Sequence, residues 1–282
     1  MMPEPTLGGF APFNEAHAIV SVQATIQFGH PVSEGQWAAM RPAIWALGRD
    51  LDIGQPSPAF GLAVNFNGTQ LGVALNSPAV SSQQIMGLNF SLVDADDRVT
   101  ERISINKDSI QIQSNQYVRW RPFIGRIESV LSRINKYYVF EAPPFFIQLE
   151  YWDRFDLVEA RVLDATKLIS AEAPWVASAG SSSIEPWHSH AGHFERLSDK
   201  IRRLYQTKID FADFPGKEGR QTRSFIIYTM TQDMVNAPGY GRTIGRGWEV
   251  PVVLDALNQQ HAALKDELRR IITPEAAERI GL

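Results

Sequence analysis

The sequence predicts an α+β fold: mainly antiparallel sheets with helices packed on one face, divided into two lobes over residues 1–140 and 141–282. Several segments alternate apolar and polar residues, which is the period of a half-buried strand. Other segments repeat apolar residues every three or four positions, which is the period of a helix with one buried face. Along the chain the elements follow as strand, helix, strands and helix, then strand, loop, strands and helix, and this order predicts the two lobes.

The N-terminal half begins with a strand and a helix. Residues 20–28 alternate apolar and polar side chains, which predicts a strand with one wet face. Ser33 and Gln36 have the spacing of a capping box, and the apolar stripe that follows predicts a helix ending at Gly48. Pro42 lies inside this stripe and predicts a kink.

A long uncharged stretch follows the first helix. Residues 53–93 contain no Asp, Glu, Lys or Arg, but prolines, asparagines and glutamines interrupt them. The stretch therefore predicts a β-meander rather than a membrane span, with a tight hairpin at Asn67-Gly68. Residues 103–112 predict a second hairpin, and the spacing of apolar residues from Pro122 onward predicts the second helix.

The C-terminal half repeats the alternation of strands and a helix. Residues 145–155 predict a strand, and the Ala- and Ser-rich residues 171–183 predict a loop. Strands are expected at 204–211 and 224–231. Residues 254–271 carry the clearest helical stripe, which Thr273-Pro274 ends before a short final helix.

Composition excludes several classes of function. The 282 residues are 44% hydrophobic and 21% charged, which is typical of a globular protein, and the net charge of −4 provides no overall field that would attract nucleic acid or an anionic membrane. The absence of cysteine excludes disulfides, a thiol nucleophile and thiolate metal sites. The first ten residues hold Glu4 but no Lys or Arg, so no secretory signal is expected and the predicted location is the cytoplasm.

Three phrases of the sequence resemble a sporadically distributed bacterial family of uncharacterised proteins of similar length. They are Tyr117, Trp120 and Phe123 in a Tyr-x-x-Trp-x-x-Phe phrase that opens the second helix, the strand 146–155, and a final helix that contains His261. The resemblance spans nearly the whole chain, and its motifs are mostly packing residues. It implies a bacterial context and an accessory role of the antitoxin or phage-defence type, and it implies no reaction.

The densest group of possible metal ligands lies in residues 187–195, with the sequence WHSHAGHFE. If the segment is extended, His188 and His190 point to one face, as two imidazole ligands of a divalent transition metal would. Glu195 would supply a third ligand, and His193 a spare ligand or a general base. This pattern predicts a candidate metal site.

The spacing His-x-His-x4-Glu is also similar to the first metal motif of cupins. Ser182 and Arg202 stand where that motif has glycines, and His261 is the sole histidine downstream. The alternative is a polar strand edge whose histidines bond to the backbone and pack on Trp187 and Phe194.

A glycine-rich segment with two arginines precedes the last helix and predicts an exposed loop that contacts a partner or an anion. Its sequence, GYGRTIGRG, lacks the Gly-Lys-Ser/Thr ending of a phosphate loop and misses the dinucleotide fingerprint by one residue. The candidate contacts are Gly239, Gly241, Arg242, Gly245 and Arg246.

His261 lies on the apolar stripe of the last helix, between Leu257 and Leu264. This position favours a hydrogen-bonded histidine of a core or an interface over a metal ligand.

Protein contact is the function that the sequence favours. We expect a non-enzymatic protein that binds a partner, for which a neighbouring gene is the first place to look, through the glycine-arginine loop and the exposed side of the last helix. No catalytic residue is assigned and no cofactor is expected. A metal-dependent enzyme with a divalent transition metal on the histidine segment is the first alternative, and nucleic-acid binding through clusters of Lys and Arg is the second.

Overall fold

Within the residues that the structure describes, ten strands pair side by side in one antiparallel sheet. A computed structural model describes residues 7–14, 17–61, 84–135, 144–159, 163–176, 185–216, 220–235 and 249–282. The strands are β1 (Phe10–Pro12), β2 (Ile19–Gln27), β3 (Ser57–Gly61), β4 (Gln84–Val93), β5 (Val99–Asn106), β6 (Ser109–Ser114), β7 (Phe146–Leu157), β8 (Trp187–Arg196), β9 (Ile201–Pro215) and β10 (Gln221–Val235). Their order across the sheet is β3-β4-β5-β6-β2-β7-β10-β9-β8, and β1 pairs with β7.

The α-helices in the described residues are α1 (Glu34–Asp50), α2 (Trp120–Ile134), α3 (Val250–Ile271) and α4 (Pro274–Arg279). None of the helices in these residues is long and apolar enough to cross a membrane. The predictions of a mixed fold, an antiparallel sheet and helices at these places are confirmed.

The alternating segments of the sequence form strands, as predicted. β2 lies over the predicted residues 20–28, and the second hairpin pairs Ile103 with Ile112 and Ile105 with Ile110. The period of two is informative because one face of each strand is buried and the other is polar. β9 and β10 extend beyond their predicted ends and pair along their full length. The hairpin predicted at Asn67-Gly68 lies outside the described residues.

The first helix begins at the predicted capping box. The backbone N–H of Gln36 donates to Ser33 Oγ, and the Ser33 N–H donates to Gln36 Oε1 at 2.9 Å. Pro42 lies within the helix, which continues past the predicted end at Gly48. A Cβ atom at Gly48 would lie 1.9 Å from the carbonyl oxygen of Gly54, so this glycine permits close packing rather than ending the helix.

The buried residues of the sheet and helices form two separate clusters. The first joins β2, β4, β5 and β6 to α1, α2 and the beginning of α3. The second joins β1, β9, β10 and the end of β7 to the end of α3 and to α4. Helix α3 contributes to both clusters and crosses from one to the other over β7 and β10.

The predicted division into two lobes remains a prediction. Strands from both halves of the chain pair within the sheet, since β2 lies beside β7 along almost its whole length. The predicted boundary at residue 140 lies outside the described residues.

Candidate functional site

A cavity of about 410 Å³ lies where the two hydrophobic clusters meet. The segment before β2, the beginning of α2, strands β7 and β10, helix α3 and the residues after α4 all contribute to its wall. It is lined by His17, Ala18, Ile19, Tyr117, Arg119, Trp120, Arg121, Tyr151, Asp153, Thr229, His261, Leu264, Lys265, Leu268, Ile280, Gly281 and Leu282. We call it the inter-core cavity. Its size is within the range of small-molecule sites, which is roughly 300–1,000 Å³.

Asp153 is the most unusual residue of this wall. Its side chain is 1% exposed, and Oδ1 has no hydrogen-bond partner in the described part of the protein. Burial raises the pKa of Asp153 from 3.8 to about 7, because the charged carboxylate loses its hydration. A buried carboxylate without a partner is costly to folding, so its place in a cavity wall points to a ligand or ordered water as the missing donor.

A second buried acid, Glu150, lies on the opposite face of β7 and differs from Asp153 in its hydrogen bonds. Glu150 is 8% exposed, yet its carboxylate accepts hydrogen bonds from Gln23 Nε2 at 3.0 Å, Gln148 Nε2 at 2.6 Å and the Tyr228 hydroxyl at 2.8 Å. Burial raises the pKa of Glu150, and the hydrogen bonds from Tyr228 and Gln148 oppose that rise. Glu150 is therefore a satisfied structural acid, whereas Asp153 is not satisfied by the residues described.

His17 provides a second unpaired group in the same wall. Its Nδ1 atom is buried without a hydrogen-bond partner among the described residues, and its ring packs edge-on against Tyr117, with 5.9 Å between the ring centres. Burial lowers the pKa of His17, and the nearby positive charge of Arg119 lowers it further. Hydrogen bonds with the backbone of Tyr117 and Ile19 oppose this shift. His17 therefore favours its neutral form, in which one ring nitrogen accepts a hydrogen bond and the other donates one.

His261 joins helix α3 to β7 and α2 within the cavity. Its Nδ1 atom lies 2.9 Å from the Tyr151 hydroxyl, in a hydrogen bond whose direction depends on the tautomer. Its ring stacks on Trp120, with 4.3 Å between the ring centres and 8° between the planes. Trp120 is held in turn by its Nε1–H, which donates to Asn258 Oδ1 at 2.7 Å. The hydrogen bond and the stack give His261 a fixed orientation.

His261 and Tyr117, which both line the cavity, have pKa values shifted in opposite directions. Burial lowers the pKa of His261 to about 4, and the positive charge of Lys265 contributes to the same direction. Burial raises the pKa of the Tyr117 phenol to about 12, so this group remains a hydrogen-bond donor at neutral pH. With Asp153 titrating near pH 7, the wall combines a carboxyl group able to gain or lose a proton with neutral donors and acceptors.

Three positive side chains line the cavity and are at least partly exposed to solvent. Arg119 and Arg121 are exposed at the beginning of α2, and Lys265 is half-buried on α3. None of the three forms an ion pair among the described residues. The cavity wall therefore combines three accessible cations, which we call the rim, with a buried acid, Asp153.

The histidine segment predicted as a metal site is an extended edge strand, β8. It pairs regularly with β9, so alternate residues point to opposite faces of the sheet. His188 and His190 share one face, whereas His193 and Glu195 lie on the other. The structure therefore brings together two of the four predicted ligands at a time, and no group of three or more possible ligands forms within the described residues.

His193 and Glu195 have other partners on their own face of the sheet. The His193 ring stacks on Tyr205 at 4.8 Å and on Trp175 at 5.2 Å. Glu195 Oε2 accepts a hydrogen bond from the Tyr205 hydroxyl at 2.8 Å. The segment is a strand edge, as the alternative proposed, but the aromatic partners of His193 are Tyr205 and Trp175 rather than Trp187 and Phe194.

The glycine-arginine loop at Gly239 to Gly247 lies outside the described residues, so its contact surface remains a prediction. His261 lies on the buried stripe predicted for it and has a hydrogen-bond partner.

Sequence patterns alone did not single out Asp153. A signal was present, because Leu149, Tyr151, Asp153 and Phe155 occupy alternate positions of a strand. An acid in a row of otherwise apolar or aromatic residues on a buried face is unusual, since Asp is almost never fully buried without a partner. His17 carried no such signal, because it lies in an irregular segment before β2.

Comparison of the chain with protein-family models, with curated proteins and with solved structures gives no match. The site must therefore be interpreted from its own geometry.

Proposed function

We propose that the protein binds a small organic molecule in the inter-core cavity and recognises it through a hydrogen-bond donor that meets Asp153. The observation that carries this proposal is the buried Oδ1 atom of Asp153, which lacks a partner in the described part of the protein and lines a cavity large enough for a ligand. Stable proteins rarely retain such a group unless it serves recognition or chemistry, because its desolvation costs stability.

The rest of the wall supports recognition of an organic molecule rather than water alone. The aromatic rings of Tyr117, Trp120 and Tyr151 and the side chains of Leu264 and Leu268 present apolar surface. Most of the surface that the cavity presents is apolar, and the polar groups within it come from different elements of the fold. A mainly apolar cavity with a small number of placed polar groups is the usual composition of a small-molecule site.

The proposal is tested by a ligand screen in which two buried acids are compared. A library of small metabolites is screened by ligand-observed NMR against the wild-type protein, the Asp153→Asn variant and the Glu150→Gln variant. We expect the screen to find ligands that bear a hydrogen-bond donor. We expect Asp153→Asn to reduce their affinity about tenfold or more, since a hydrogen bond to a charged group contributes about 1.5–3 kcal/mol. Glu150→Gln changes an acid on the other face of the same strand and should leave the affinity unchanged.

Two results would contradict the proposal. One is a screen in which no compound binds to the folded wild-type protein. The other is a set of ligands whose affinity is equally insensitive to both substitutions, because these ligands would bind elsewhere on the molecule.

We propose a protein contact as a second function, in line with the resemblance and the sequence patterns. The β8–β9 hairpin supports it, since Phe194, Leu197 and Ile201 expose 60%, 39% and 38% of their surface. Edge strands are common sites of contact with other chains. Replacing Phe194 by Ser should reduce co-purification of a partner expressed from a neighbouring gene, and unchanged co-purification would exclude this hairpin as the contact.

A further inference from the structure

The beginning of α2 concentrates positive charge at one end of the inter-core cavity. Arg119 is the N-cap residue and Arg121 lies in the first turn, where the helix dipole is already positive. No acidic residue lies in this turn, and the Arg119 side chain makes no capping hydrogen bond. This arrangement is unfavourable by itself, because helix N-termini are stabilised by negative charge.

Lys265 adds a third positive charge from helix α3. Its charge lowers the pKa of His261, and the charge of Arg119 lowers the pKa of His17. Cationic groups from two different helices therefore act on histidines of the same cavity wall. An anionic group bound among them would offset both the helix dipole and the mutual repulsion of the side chains.

The opposite requirement holds at Asp153. This residue lies on β7 and lines the same cavity, and its buried Oδ1 atom is a hydrogen-bond acceptor without a donor in the described part of the protein. A donor that also carries positive charge is the best match, because it would both supply the missing hydrogen bond and stabilise the carboxylate form. This buried acceptor is independent of the helix N-terminus and itself points to a ligand.

We infer that the ligand of the inter-core cavity is a small zwitterion: a carboxylate or phosphate group binds at the rim between Arg119, Arg121 and Lys265, and a protonated nitrogen binds Asp153. The rest of the ligand is apolar and lies along the aromatic side chains of the wall. This inference rests on the proposed function, and it adds the charge pattern of the ligand to the existence of a site.

The rim is tested first with inorganic phosphate as the probe. Phosphate is titrated into the protein at constant ionic strength, maintained with sodium chloride, while the indole Nε1–H signal of Trp120 is followed by NMR. We expect a saturable shift that is lost in the Arg119→Ala/Arg121→Ala variant and retained in an Arg41→Ala/Arg49→Ala control, whose exposed arginines lie on α1. An equal response in all three proteins would overturn the anion site.

The full charge pattern is tested with four molecules that share a phenyl ring. Phenylalanine carries both charges and phenethylamine only the positive charge. The other two are 3-phenylpropanoate, which carries only the negative charge, and 3-phenylpropanol, which carries none. We expect phenylalanine to bind about tenfold or more tightly than the other three, and we expect its affinity to fall about tenfold in both Asp153→Asn and Arg119→Ala/Arg121→Ala. The exposed arginine variant should fold even if the buried substitution does not, so this comparison remains decisive.

The outcomes separate this inference from the proposed function. If a single-charge or neutral molecule binds as tightly as phenylalanine, or if neither phosphate nor any of the four binds, the zwitterion inference is overturned. If the metabolite screen still finds ligands that depend on Asp153 but not on the rim arginines, the proposed function stands and only the charge pattern is wrong.

Discussion

Strand β7 buries two carboxylates on opposite faces of the sheet, and their surroundings differ completely. Glu150 accepts hydrogen bonds from two glutamines and a tyrosine. Asp153, three residues further along, has an oxygen with no partner in the described part of the chain and lies in the wall of a cavity. Burial alone therefore does not mark a functional acid. The informative feature is a buried acid whose hydrogen bonds the protein does not complete.

The largest expected effect is an increase in stability on replacing Asp153 by Asn at high pH. The folded-state pKa of Asp153 is about 7, above its ordinary value of 3.8, so the folded protein binds this proton more tightly than the unfolded chain. The wild type therefore loses stability from this group as the pH rises from about 4 through about 7, by an amount of the order of 4 kcal/mol. Asp153→Asn should remove this loss. Chemical denaturation at pH 5 and pH 8 measures it, and a variant no more stable than wild type at pH 8 would contradict it.

Replacing the other buried acid, Glu150, is expected to lower stability rather than raise it. Glu150→Gln should lower the free energy of unfolding by roughly 1–3 kcal/mol at pH 7, because the amide group cannot accept all three hydrogen bonds that Glu150 receives. Chemical denaturation of both variants under one condition gives the comparison directly. If both substitutions change stability in the same direction, the distinction between the two acids fails.

The Tyr151→Phe substitution should have a smaller effect, a loss of roughly 1–2 kcal/mol, because His261 Nδ1 would be left without its partner. A double-mutant cycle with His261→Ala isolates this interaction, since each single variant also changes packing. A coupling energy near zero would show that the hydrogen bond does not orient His261.

His261 also makes a separate prediction about pH. Its folded-state pKa of about 4 lies below the ordinary value of 6.5, so its contribution to stability is present above pH 6.5 and is lost as the pH falls toward 4. This slope is opposite to that of Asp153, and the two partly cancel in the wild type. In Asp153→Asn the free energy of unfolding should therefore rise between pH 4 and pH 6.5. A flat profile in that variant would argue against a neutral, buried His261.

The smallest effect is expected on β8. His188→Ala/His190→Ala should change the free energy of unfolding by less than about 0.5 kcal/mol, because both side chains are exposed. The same variant tests the metal alternative through elemental mass spectrometry of untagged protein. We expect no stoichiometric transition metal in either protein, since two exposed imidazoles on one face make a weak site. One equivalent in the wild type, lost in the variant, would restore the metal-dependent enzyme.

The sequence was sufficient to predict most of the secondary structure, because burial on one side gives each element a regular pattern. Residues 103–112 alternate and form a hairpin, and the three- and four-residue spacing of the last helix is matched by its buried face. The prediction that α1 ends at Gly48 was wrong. A glycine that allows close packing against Gly54 cannot be distinguished in the sequence from a glycine that ends a helix.

The candidate site was much less predictable. The histidines of residues 187–195 are neighbours in sequence, but the alternation of a strand separates them onto two faces. Four residues that are distant in sequence, His17, Tyr117, Asp153 and His261, line one cavity. They meet because β2 pairs with β7 and because α3 crosses over β7 and β10. A single sequence shows no such pairing.

The sequence by itself determined the local elements of this protein, since hydrophobic period, capping residues and turn residues act over a few neighbouring positions. The tertiary structure decided which polar groups meet in one cavity and which of them remain without a partner. The physical reason is that the cost of burying Asp153 depends on what surrounds it in space, and those surroundings are contributed by six separate segments of the chain.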